Sequence, residues 1–108
     1  MEFSELLSFI KIQSERLKRR YGYDDEEKRV LARTVKLSEE VGELCDAVLS
    51  LQKLQRQEKL DEETSEHIAE EVADVLITTL LIAESLRVNI ENALFKKIEK
   101  INKRFENV

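Results

Sequence analysis

Hydrophobic positions recur at helical spacing along most of the chain. Phe3, Leu6, Leu7, Ile10 and Leu17 predict a first helix from about Ser4 to Arg20. Arg16, Lys18, Arg19 and Arg20 crowd its end, where cations favour the helix dipole, and Gly22 offers a stop. A second stripe, Val30, Thr34, Leu37, Val41, Leu44, Val48 and Leu51, has heptad-like spacing. It predicts a helix reaching about Gln55 that packs at a shallow angle on a partner helix. Asp24 followed by Glu27 reads as the capping box of that helix. The polar segment from Arg56 to Leu60 breaks the stripe and holds a turn. Asp61 then caps a third helix, about Glu62 to Leu86, which is polar at first and apolar nearly all round from Val72. Its second half therefore belongs at the centre of the assembly. Asn89 caps a fourth helix, with Leu94, Phe95, Ile98, Ile101 and Phe105 turned inward.

Composition agrees with this reading. Pro is absent and Gly occurs twice, so a many-turned β structure is disfavoured and the fold class is all-α. The 108 residues are expected to form one domain spanning 1–108, a four-helix-bundle-like array of antiparallel helices. A domain this small buries a modest share of its surface, which long paired helices or a second copy would relieve. The net charge of −5 argues against a nucleic-acid partner. The longest charge-free apolar run, Val75 to Ala83, is far short of the roughly 20 residues a membrane helix needs, so no membrane partner is expected. The opening Met1 to Glu5 lacks the basic start and apolar run of a secretory signal. The single cysteine, Cys45, rules out an internal disulfide and reads as helix filler. A cytoplasmic chain is the expectation.

Two acidic groups change the picture. Glu39, Glu40 and Glu43 lie on the second helix, where Glu40 and Glu43 share a face. Glu71 and Asp74 share a face of the third helix where it turns apolar. At about 1.5 Å rise per residue, counting outward from the turn brings both pairs to the same height on antiparallel helices. Like charges about 4 Å apart repel by roughly 4 kcal/mol at an effective dielectric near 20, so such a cluster calls for protons or a cation. No Glu-x-x-His pair accompanies it, which disfavours a ferritin-type di-iron site. An all-oxygen donor set suits a hard ion, Mg²⁺ or Mn²⁺. The competing reading is a pair of ordinary solvated acidic faces, and spacing alone leaves both open. His67, four residues before Glu71, reads as a half-exposed histidine beside the cluster.

The runs Lys36-Leu37-Ser38-Glu39-Glu40-Val41-Gly42-Glu43-Leu44 and Glu70-Glu71-Val72-Ala73-Asp74-Val75-Leu76 stand one helix–turn–helix apart. Over about residues 30–105 the chain resembles the MazG-like nucleotide pyrophosphohydrolases, whose signature is EExxE followed by ExxD. The resemblance implies an all-α homo-oligomer, a dimer or dimer of dimers. It also implies Mg²⁺-dependent cleavage of a nucleoside triphosphate between its α and β phosphates. Carried over, the metal ligands are Glu40, Glu43, Glu71 and Asp74, while Glu39 is either a further ligand or the group that orients or deprotonates the attacking water. Lys100 and Arg104 match a Lys and Arg that hold the departing phosphates, although five cations on that helix also suit a solvated end. Ile98 stands where some relatives carry Asn, a departure that removes one contact to base or sugar. Two alternatives remain: a non-catalytic helical module whose acidic groove docks a basic partner, and a specialised relative acting on phosphoribosyl-ATP or deoxyuridine triphosphate.

Overall fold

The computed structural model describes residues 1–22, 25–55 and 62–106, and among them the only regular secondary structure is helical. The helices are α1 (Phe3–Tyr21), α2 (Glu26–Gln55), α3 (Glu62–Ser85) and α4 (Ile90–Arg104). The turn expected at Arg56 to Leu60, the Asp61 cap and Asp24 lie outside the described residues. Asp25 caps α2 instead: its Oδ1 accepts from the Glu27 amide at 2.9 Å and the Lys28 amide at 3.4 Å. Asn89 caps α4 as expected, its Oδ1 accepting from the Asn92 amide at 3.1 Å.

Helices α2 and α3 pack on one another, and α1 packs on α3. Arg33 of α2 meets Leu81, Glu84 and Ser85 of α3, whereas Ser50 and Thr64 line one cleft at the other end, so the pair runs antiparallel. Gly22 ends α1 in the left-handed region, φ 65°, with its amide on the Lys18 carbonyl at 2.8 Å. At the end of α3 the Val88 amide reaches the Ala83 carbonyl at 2.9 Å, and Arg87 takes the left-handed position, φ 56°, that glycine usually fills.

The inner face of α2 is not the stripe that hydropathy predicts. Arg33, Glu40 and Ala47 are the buried residues, with Leu37, Leu44 and Leu51 half-buried beside them. Thr34, Val41 and Val48, one position further along, are exposed. The inner face keeps helical spacing but carries two charged residues and a small one, which a hydrophobic count passes over. α3 likewise buries Glu71, Thr78, Leu81 and Ser85 on one side and exposes Val72 and Leu76 on the other.

The largest departure is α4. The side chains expected inside (Leu94, Phe95, Ile98, Ile101 and Phe105) are all exposed, and no residue of α4 is buried. The turn after α3 carries α4 away from the other helices, so its apolar face has no cover among the described residues. The radius of gyration, 17.3 Å, exceeds the roughly 13 Å expected of a compact domain this long.

Candidate metal centre

Two polar clusters lie between α2 and α3. In the first, the Arg33 guanidinium reaches the Leu81 carbonyl at 3.0 Å, the Glu84 carboxylate at 3.4 Å, and the hydroxyl of Ser85. Its second terminal nitrogen donates to the Ser14 hydroxyl at 3.0 Å, and Ser14 in turn donates to Glu84 Oε2 at 2.7 Å. Burial lowers the Arg33 pKa and the adjacent Glu84 opposes that shift. Three helices are thus tied by one hydrogen-bonded charge.

The second cluster lies two turns further along α2. Glu40, Glu43 and Glu71 each bring a carboxylate oxygen within 4.8 Å of the other two. Glu40 and Glu71 are buried, at 6% and 8% exposure, and Glu43 is exposed at the rim. Glu40 Oε1 accepts from Lys36 Nζ at 3.1 Å, and Glu71 Oε1 stands 3.7 Å from His67 Nε2. The remaining oxygens, Oε2 of Glu40 and Oε2 of Glu71, are buried with no hydrogen-bond partner among the described residues. A buried acceptor with no donor is costly, and a carboxylate more so.

The electrostatics follow from that crowding. Burial, then the facing Glu43 carboxylate, raises the Glu71 pKa above its ordinary value; Asp74 and Glu40 add to this and His67 opposes it. The hydrogen bond to Glu40 raises the Lys36 pKa. Converging carboxylates, two of whose oxygens have no donor among the described residues, fit a hard divalent cation by size and charge.

The other sequence-predicted residues are placed differently. Asp74 is exposed and outside the group of three, although close enough to Glu71 to act on its charge. Glu39 is exposed, 3.7 Å from Lys36. Lys100 and Arg104 are exposed on α4 and line neither cleft beside the cluster. The sequence reading missed the Arg33 network and gave Lys36 no role. The signal for both was the helical step on α2: Arg33 precedes Glu40 by two turns on the same face, and Lys36 precedes it by one.

A cleft of about 820 Å³ opens on one side of the cluster, toward the α2–α3 connection, with Glu43, Asp46, Glu66, Glu70, Glu71 and His67 among its lining. A smaller one of about 350 Å³ opens on the other side, between α1, α2 and α3. No described helix is long and apolar enough to cross a membrane. Residues 29–108 match the family described as MazG nucleotide pyrophosphohydrolase domain. No curated protein and no solved structure matches the chain.

Proposed function

We propose, from the premise that this chain belongs to the MazG nucleotide pyrophosphohydrolase family, that it hydrolyses a nucleoside triphosphate between the α and β phosphates. The products are a nucleoside monophosphate and pyrophosphate. The observation that carries this reading is the pair of buried carboxylate oxygens on Glu40 and Glu71, without hydrogen-bond partners among the described residues, in a cluster with Glu43.

In this reading Glu40, Glu43 and Glu71 hold Mg²⁺, with Mn²⁺ an acceptable substitute, and Asp74 joins them when its side chain turns toward Glu71. Bound there, the cation supplies charge neutralisation and polarises the phosphoryl oxygens, which is most of what phosphoryl transfer asks of a protein. The carboxylates fix its position on two long helices, so little has to move when substrate arrives. Glu39, exposed at the edge of the cluster, orients or deprotonates the attacking water. Lys100 and Arg104, one helical turn apart on α4, meet the phosphates when α4 lies against the cluster of a neighbouring copy.

That assembly is part of the proposal. The chain exposes 8767 Å², against about 6,200 Å² for a compact monomer of 12.7 kDa. The apolar face of α4 and the outward valines of α2 supply much of the excess. A homo-oligomer, a dimer or dimer of dimers, covers it. The free, exposed Cys45 suits a reducing cytoplasm.

A screen for pyrophosphate release across the common ribo- and deoxyribonucleoside triphosphates, with phosphoribosyl-ATP added, tests the reading. Release that requires Mg²⁺ is expected for at least one of them. No release from any, with Mg²⁺ or Mn²⁺ present, would leave a docking module as the better description.

A further inference from the structure

The two clefts flanking the acidic cluster carry opposite charge. Among the described residues, five carboxylates line the wider one, those of Glu43, Asp46, Glu66, Glu70 and Glu71, and no Lys or Arg does. The narrower one is lined, among the described residues, by Lys18, Arg29, Arg33 and Lys36, with Tyr21 and Leu81 among its other walls and no carboxylate. In a chain of net charge −5 this is a local reversal of sign beside the one place where a phosphate chain would be cut. Lys36 joins the two regions. Its Nζ rests 3.1 Å from Glu40 Oε1 and 3.7 Å from Glu39, while its side chain keeps 57% exposure and borders the narrow cleft.

We propose that the narrow cleft between α1, α2 and α3 receives the charged end of the substrate, with Lys36 turning from Glu40 to the departing pyrophosphate. This rests on the cluster being a metal centre of the kind described above, and adds to it a direction for the substrate. The triphosphate tail points toward α1, because the wider cleft would repel it, and the wider cleft is left for the uncharged nucleoside. Lys36 balances the Glu40 carboxylate at 3.1 Å, which limits the cost of burying it. With a divalent cation balancing Glu40, the Lys36 ammonium would be free to meet a phosphate oxygen. Arg33 does not make this move, since its guanidinium is held by Ser14, Leu81, Glu84 and Ser85. Lys18 already bonds Glu15 at 3.1 Å and contributes its field at the mouth.

Two titrations on the full chain test this: Mn²⁺ alone, followed by electron paramagnetic resonance, and inorganic pyrophosphate in Mg²⁺, followed by calorimetry. In Lys36→Gln, pyrophosphate affinity is expected to fall about tenfold or more, the range for losing a hydrogen bond to a charged group. Mn²⁺ affinity in the same variant should stay equal or rise, because a competing cation is gone. Lys36→Arg, which keeps the charge, should hold pyrophosphate within a few-fold of the native chain. Native-like pyrophosphate binding in Lys36→Gln overturns the inference. So does a parallel loss of Mn²⁺, which would make Lys36 a prop for Glu40 alone. A native chain that binds Mn²⁺ but not pyrophosphate sinks the cleft assignment and spares the metal centre; one that binds no Mn²⁺ sinks both.

Discussion

The Arg33 network and the Glu40–Glu43–Glu71 cluster occupy the same helix pair, about two turns apart on α2. Both bury charge between α2 and α3, yet they end in opposite states. Around Arg33 the guanidinium and the Glu84 carboxylate find partners on three helices, so one positive group organises the acceptors near it. Around Glu71 three carboxylates converge and two oxygens have no donor. Buried polar groups are almost always satisfied, so a satisfied cluster reads as architecture and an unsatisfied one as a place for something absent from the chain. On the proposed reading, the contrast separates structural from functional polarity on a single helix face.

Substitutions at the two clusters should therefore act on different observables. Arg33→Met takes the guanidinium donor from both serines and leaves Glu84 with the Ser14 hydroxyl. It should lower stability by about 3 kcal/mol in urea unfolding, the low end for breaking a buried pair because Glu84 keeps 28% of its side chain exposed. An effect near zero would mean that the network holds nothing together. Glu43→Gln should reduce pyrophosphate release more than about a hundredfold, the upper range for losing merely a supporting bond to a metal ligand, with the helical circular dichroism unchanged. Activity within threefold of native would remove Glu43 from the site, and the same test applies to Asp74→Asn, whose exposed position makes it the more discriminating variant.

Smaller effects sharpen the comparison further. Mg²⁺ at a hundred times its dissociation constant should stabilise the native chain by about 2.7 kcal/mol and leave Glu40→Gln/Glu71→Gln unmoved. Without metal, Glu71→Gln should melt above the native chain near neutral pH. The sign follows from the raised Glu71 pKa. The folded state favours its neutral form, so its contribution to stability is present below the ordinary value of 4.5 and is lost as pH rises through the raised value. The advantage of Glu71→Gln should shrink as pH falls through the raised value and be gone below 4.5, and a pH-independent difference would contradict burial as the cause.

How much was legible beforehand varies by element. Helix existence, order and approximate limits follow from periodicity and the absence of Pro. The convergence of Glu40, Glu43 and Glu71 follows from helical rise and an antiparallel pair. The inner face of α2 did not, because Arg33, Glu40 and Ala47 mark it with charge and small size while Val41 and Val48 draw the eye outward. For the same reason Arg33 escaped notice: a lone arginine in a charged helix looks solvated until a Ser and a Glu from two other helices meet it. The face of α4 is legible as apolar but not as exposed, since a sequence pattern says that a face suits burial and not whether the fold of the chain covers it.

Manganese uptake at the acidic cluster is the most direct measurement. A titration followed by electron paramagnetic resonance should show saturable Mn²⁺ binding to the native chain, displaced by Mg²⁺ and abolished in Glu40→Gln/Glu71→Gln. Equal Mn²⁺ binding by the native chain and that double variant, or none by either, would contradict a metal centre at these residues.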